Sequence, residues 1–308
     1  MPRSRANPPS AAGTDGREGR RPLLPRALDV AGRTFITTGL LMLAFVAYQL
    51  WGTGIEQAGS QRALQRKYEI AYPARQSTLV NSTTLPRIGE PVGRMSVPRI
   101  GLDTWIVAGA KYEQLEMGPG VFTTSPLPGQ AGNLAIAGHR TSYGAPFEHL
   151  DELRYGDTVT FRTPQGMFTY MVTSSEIVLA SNVDVIRTLD RERAQMTLIT
   201  CHPKWTSAKR LVVHGELTSA QKPLVATPLM EITQEIREEV TPGWFHDTSR
   251  IVPTVLFSLV LVAIVLVTRR VAGSGWRKVI VWGLSGGVFL VTLYFTFRNL
   301  SGLLPANL

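Results

Sequence analysis

The sequence predicts an all-β barrel with short helices, carried on three transmembrane helices. Three observations point there: three long runs almost free of charge, basic residues clustered beside those runs, and short β-branched strands separated by turns in between. The apolar runs are Thr34–Trp51, Ile251–Thr268 and Val279–Phe297. Each reaches the length, about 17 residues or more at about 1.5 Å rise, that crosses a hydrocarbon core of roughly 30 Å. A helix buried in a soluble core seldom stays apolar around its whole circumference for so long.

Charge gives these runs a direction. The net charge is +9, and residues 1–33 carry seven Arg against Asp15, Glu18 and Asp29. A second cluster, Arg269, Arg270, Arg277 and Lys278, has no acid within it. Residues 52–250 hold 20 basic and 20 acidic side chains, so the folded part is neutral. Nucleic-acid binding needs a concentrated basic face, which excludes that class of partner. Lys and Arg beside membrane helices stay cytoplasmic, so both clusters are expected inside and residues 52–250 outside, with the bilayer as a partner. The first run exceeds the usual signal-peptide core of about 7–15 residues, and no A-x-A-like site follows it. It is expected to be an uncleaved signal anchor. Residues 1–33 have little to bury and are expected to be a disordered tail.

Cys201 is the only cysteine, which rules out a disulfide within the chain. A lone thiol in an exported segment is exposed to oxidation and calls for a reason. Three readings stand: a nucleophile, a small buried apolar residue, or a metal ligand. The last is weakest, because one Cys with dispersed His lacks paired-ligand spacing.

The flanking residues narrow the choice. Met196–Cys201 (MTLITC) reads as a strand that Pro203 must end, since proline cannot donate to a ladder. Arg210 opens RLVVHGEL, a second alternating strand, and the turn Pro203–Lys209 brings Arg210 beside Cys201 if the two strands pair. A third short strand, Asn133–Ala137, ends in Gly138-His139-Arg140. A thiol is a weak nucleophile until an imidazole takes its proton, which it can later give to a leaving amine. A guanidinium can bind a developing oxyanion or hold substrate backbone. Cys, His and Arg at three strand ends therefore suit acyl transfer.

The strings AGHRTSYGAPFEHLDELRYGD (Ala137–Asp157), TLITCHP (Thr197–Pro203) and KRLVVHGEL (Lys209–Leu217) resemble the motifs of sortases in their usual order. LEMGPGVF, Leu115–Phe122, resembles the segment before that family's histidine strand. The likeness covers about residues 90–218, and the TLITCHP and HRTSYG forms look most like class E sortases of high-GC Gram-positive bacteria. It implies an eight-stranded β-barrel of the sortase type, with Cys201 as nucleophile, His139 as acid/base partner and Arg210 as oxyanion or substrate clamp. Arg140 is the next candidate for the clamp. The implied reaction cuts a C-terminal LPXTG- or LAXTG-like sorting signal between Thr and Gly. An amine, from a peptidoglycan precursor or a pilin Lys, then resolves the acyl-enzyme. No cofactor and no metal is implied. Paired C-terminal membrane helices depart from the usual housekeeping layout and suggest pilus-building enzymes. Residues 52–90 lack the Asp-Pro-aromatic lid of many pilin polymerases, which favours anchoring of surface proteins over polymerisation. A cysteine protease, resolved by water, and a non-catalytic surface binding barrel are the alternatives.

The expected layout is a tail (1–33), an anchor (34–51), a juxtamembrane linker or helix (52–90), the catalytic barrel (91–219), a stalk (220–250), and helices 251–268 and 279–297 joined by a cytoplasmic loop (269–278). Tyr143 is expected to line the substrate groove or to cap the barrel edge. His149, His214 and His246 read as surface or packing residues rather than ligands. His202 neighbours Cys201, but adjacent strand residues face opposite ways, so His139 is the better base. Ala145–Leu153 reads as a short helix or turn. Asp157–Thr163 and Gly166–Val178 read as a hairpin turning at Pro164-Gln165-Gly166. Met230–Val240, with Ile232, Ile236 and Val240 four apart, reads as an amphipathic stalk helix.

Overall fold

The computed structural model describes residues 23–79, 86–218, 221–224 and 248–303. The expected stalk helix Met230–Val240, His246 and residues 1–22 of the expected tail lie outside the described residues. The chain divides into two units, Met1–Ala44 and Phe45–Leu308. In the first, the described residues are helical: α1 (Leu23–Ala47) begins there and exposes Phe35, Ile36, Met42 and Leu43.

The second unit contains a closed eight-stranded barrel. Its strands are β1 (Pro91–Val97), β2 (Leu102–Ala108), β3 (Gly120–Val121), β4 (Gly132–Ala137), β5 (Thr158–Thr163), β6 (Gly166–Leu179), β7 (Ala194–His202) and β8 (Lys209–Leu217). Around the barrel the order is β1-β2-β3-β4-β7-β8-β6-β5, and β5 pairs back onto β1. The β2–β3 and β4–β7 pairs are parallel and the others antiparallel.

Alternation along the strands sorts side chains to two faces. Met196 and Leu198 of β7 join Met95, Ile106, Leu134, Phe161, Tyr170 and Val213 in the barrel interior. Ile199 and Cys201 of the same strand belong to a separate cluster with Ala135, Ala137 and Val212. The edge-to-face pair Phe161–Tyr170, 5.6 Å between centroids, fills the interior beneath β5 and β6. Burial pushes the Tyr170 phenol up to about 12, and its oxygen accepts the Gly129 N–H at 2.9 Å.

Turns set the registers. β5 and β6 form the expected hairpin through Pro164 and Gln165, and β6 is long enough to pair with β5 and then with β8. β1 turns into β2 through a 3-10 turn at Pro98–Ile100, and Gly101 supplies the left-handed residue (φ 63°) that closes it. The segment expected as a short helix or turn, Ala145–Leu153, contains a 3-10 turn at Leu150–Glu152.

Helix α2 (Thr53–Leu79), joined to α1 by the π-helical turn Tyr48–Gly52, lies against the barrel. Its Gln61 amide binds like a strand residue. The oxygen accepts Trp105 N–H (2.7 Å) and Thr104 Oγ1 (3.0 Å), and the nitrogen donates to the carbonyls of Trp105 (3.0 Å) and Met117 (2.8 Å). A one-turn helix, α3 (Tyr112–Leu115), follows β2. The chain continues to α4 (Ile251–Val271) and α5 (Trp276–Leu303). Three helical stretches, Ala27–Ala71, Ile251–Val271 and Trp276–Leu303, are long and apolar enough to cross a membrane. The Phe257–Phe295 rings stack at 5.6 Å between α4 and α5. Phe297 meets Phe45 edge-on at 5.2 Å.

Candidate active site

β7 and β8 place the thiol. In their antiparallel ladder Cys201 lies directly opposite Arg210. Arg210 Nη1 donates to Cys201 Sγ at 3.4 Å and is steadied by the carbonyls of Ser207 (3.0 Å) and Lys209 (3.2 Å). Both residues are buried, at 1% and 4% exposure, so the guanidinium meets the sulfur with little water between. A charged donor in that setting can bind sulfur or carbonyl oxygen alike.

His139 arrives on the other side of β7. β4 runs parallel to β7 with Ala137 level with Ile199. Gly138 extends the ladder: its N–H donates to Ile199 O at 3.1 Å, and Thr200 Oγ1 donates to Gly138 O at 2.8 Å. The same offset, two residues on, brings His139 level with Cys201. The expected trio is thus brought together, with Arg210 and His139 flanking the strand that carries the thiol.

Arg140 has a different place. It is 2% exposed, pairs with Asp151 Oδ2 at 2.9 Å, and donates from Nη1 to the backbone carbonyl of Cys201 at 3.0 Å. The same Nη1 lies 3.1 Å from His202 Nδ1, so the His202 ring is engaged there. Arg140 therefore ties the chain after β4 to the end of β7.

Tyr143 is 2% exposed and forms the wall beside His139, the two ring centroids 5.1 Å apart and tilted by 34°. Tyr112 stands edge-on to both rings, at 6.2 and 6.1 Å. The Tyr143 hydroxyl donates to Glu116 Oε1 at 3.0 Å and lies 3.0 Å from the Tyr112 hydroxyl and 3.4 Å from Ser301 Oγ. Arg250 Nη1 pairs with Glu116 Oε1 at 3.2 Å. Burial raises the Glu116 carboxyl above its ordinary range, and the Arg250 charge pulls it back down. Burial also pushes the Tyr112 phenol up to about 12 and Tyr143 higher still, so both remain neutral hydrogen-bonding groups.

Glu116, Arg250 and Ser301 are the residues that sequence reasoning missed. Glu116 falls inside LEMGPGVF, where likeness marks the segment and not the residue. Nothing in the sequence near Arg250 or Ser301 signals a partner more than a hundred residues away. The other histidines sit apart from the thiol: His149 Nδ1 meets Glu152 Oε1 at 2.8 Å, and His214 lies between Glu176 (3.1 Å) and Thr197 (3.2 Å). Among the described residues no cluster of His, Cys, Asp and Glu could hold a metal ion.

Known proteins share this arrangement of motifs. Residues 95–218 match the family model for the Sortase domain. Sortase SrtE2 of Streptomyces coelicolor is 30% identical over 230 residues, spanning 68% of this chain and 90% of that protein. Sortase SrtE1 of the same organism is 31% identical over 204 residues, 60% of this chain and 56% of that protein. The solved structure of sortase E from Streptomyces avermitilis is 34% identical, with a TM-score of 0.39, over 44% of this chain and 91% of that one. With a near-full-length relative at that identity and the domain match across the barrel, the chain belongs to the sortase family of cysteine transpeptidases, and within it resembles class E.

Proposed function

We propose that Cys201, His139 and Arg210 are the catalytic centre of a membrane-anchored sortase that cuts an LPXTG- or LAXTG-like signal between Thr and Gly. The observation that carries this reading is the pairing of Cys201 with Arg210 across β7 and β8, with the guanidinium 3.4 Å from Sγ and His139 level with the thiol. His139 takes the thiol proton, and sulfur attacks the Thr carbonyl carbon. Arg210 binds the oxygen as charge develops on it. The C–N bond to Gly breaks, the imidazolium returns the proton to the leaving amine, and a thioester remains on Cys201. An acceptor amine then attacks the thioester, loses its proton to His139, and releases the joined product and the thiol. Tyr143 bounds the groove beside the imidazole through its ring. The substrates are surface proteins with a C-terminal sorting signal, and the acceptor is a peptidoglycan amine, which makes the reaction one of cell-wall anchoring.

Cys201→Ala tests the assignment, because no other thiol in the chain can replace the nucleophile. Incubated with a fluorogenic LAXTG peptide, with and without an amine, the variant is expected to lose both cleavage and ligation. Turnover above about a hundredth of wild type would overturn it, since loss of a nucleophile costs several kcal/mol of transition-state stabilisation.

The proposed topology keeps the barrel, residues 91–219, and the stalk, 220–250, outside the cell, and the loop 269–278 inside. Two structural facts support it. Arg250, just before α4, and Ser301, in the last turn of α5, both meet the Tyr112–Glu116–Tyr143 group. The basic residues Arg269, Arg270, Arg277 and Lys278 thus fall at the far end of the helix pair, as the positive-inside rule requires. A reporter fused after Leu308 is expected to work only outside the cell, and one inserted near Gly273 only inside. The reverse pattern would remove the cell-wall reading.

A further inference from the structure

The wall beside His139 is held largely from outside the barrel. Three elements converge on Tyr143. Thr53, the first residue of α2, accepts the Tyr143 backbone N–H on its hydroxyl at 3.1 Å. Ser301 of α5 meets the Tyr143 hydroxyl and is itself 3.2 Å from Gln49 Oε1. Arg250, at the start of α4, holds Glu116, the acceptor for that hydroxyl, and lays its guanidinium 5.5 Å over the Tyr112 ring. Tyr143 and nearby Ala145 both carry left-handed backbone angles, φ 48° and 44°. Such conformations persist in non-glycine residues only where the surroundings over-determine them. The helix ends supply that determination.

Sequence has made room for the contact. Gly302 lies in the last turn of α5, where a Cβ would collide with Cδ, Nε and Nη1 of Arg250. Glycine in a helix is unfavourable by about 1 kcal/mol against alanine. Here its missing side chain lets the guanidinium pass along α5 to Glu116. The Arg250–Glu116 pair is also poorly hydrated, at 16% side-chain exposure for each partner. A carboxylate in that position needs its cation, because burial alone disfavours its charge.

We propose that Arg250 and Ser301 are positioning residues for His139: they fix Glu116 and Tyr143, and the Tyr143 ring fixes the imidazole. The α4–α5 pair is then part of the active centre and more than an anchor. This rests on His139 being the acid/base group, and the test separates the two claims.

The full chain in detergent is assayed with the LAXTG peptide and an amine, recording kcat, KM, the pH profile of kcat/KM and the thermal midpoint. Arg250→Gln is expected to lower kcat about tenfold or more and to shift a limb of the pH profile, with KM changed less than about threefold, as misplacement of a catalytic group does. Arg250→Lys, which keeps the charge, should recover part of the loss. Gly302→Ala keeps every charge and raises helix propensity, so it guards against a folding artefact. It should push the guanidinium aside and lower kcat in the same direction without lowering the midpoint. Arg94→Gln, which breaks an exposed pair with Asp103 elsewhere on the barrel, should leave kcat and the profile at wild type. Wild-type kcat and pH profile in folded Arg250→Gln or in Gly302→Ala would overturn the proposal. Retention of more than about a hundredth of activity by His139→Ala would overturn the acid/base reading, and the positioning role with it.

Discussion

Cys201 and Arg210 stand on neighbouring strands, and the β7–β8 ladder alone sets them opposite each other. His139 lies beyond the end of β4 and takes its surroundings from residues as distant in sequence as Arg250 and Ser301. One half of the site is positioned by backbone register, the other by side chains from three separate elements. A ladder cannot slip by one residue without turning every side chain to the wrong face, so register is strongly held. A network of hydroxyls and one ion pair has no such lock. Each of its members can be lost while the fold survives, which makes the His139 half the one that mutation can tune.

The largest effect expected is on the ladder half. Arg210→Ala should cost about 2.7–4 kcal/mol in kcat, the scale for losing one oxyanion donor, and Arg210→Lys should cost less because the charge remains while the planar fork is lost. If Arg210 mainly holds substrate backbone, KM rises instead and kcat changes less. A near-neutral Arg210→Ala in both parameters would mean that Arg210 only steadies its strand, and Arg140 would be the next guanidinium to test.

A smaller effect is expected where α2 meets the barrel. Gln61→Ala removes four hydrogen bonds to β2 and the Met117 carbonyl, and leaves buried backbone groups unmet. The loss should be about 1–3 kcal/mol, read from denaturant unfolding. A loss under about 0.5 kcal/mol would show that water replaces the amide, and that α2 is held by packing such as Tyr68 on Trp105.

The smallest belongs to a pair that serves neither half. Arg94 grips Asp103 through two bonds, at 2.6 and 2.8 Å, but both side chains are about half exposed. Arg94→Ala should change stability by at most about 1 kcal/mol, with unchanged turnover. A larger stability change would make an exposed ion pair as consequential as the Gln61 contacts and blur the contrast between buried and exposed polar groups.

The same division explains what the sequence made legible. The thiol strand, its stop at Pro203 and the return at Arg210 are local patterns, and local patterns determined that half of the site. The β5–β6 hairpin was legible for the same reason, with Pro164 and Gln165 between two alternating runs. Closure of the barrel was not, because β4 pairs with β7 across some sixty residues and β3 is only two residues long. Its eight strands were expected from likeness to a family and not from periodicity. Tyr143 drew notice through its turn, yet its partners were out of reach of any window. Glu116, Arg250 and Ser301 are ordinary residues in sequence and become a group only in the folded chain.

The shortness of β3 leaves parts of two strands without a neighbour, and side chains cover them. Gln61 covers Trp105 of β2 on both its N–H and its carbonyl, and Ser125 Oγ accepts the N–H of Ala135 in β4 at 3.0 Å. Unpaired strand edges invite a second chain to add a strand, which is a common route to aggregation. Copies of this protein crowded on one membrane therefore find no edge on which to zip together. Any self-association must go through side-chain surfaces or the lipid-facing helices, and a loss of the Gln61 amide would reopen a stretch of sheet to its neighbours.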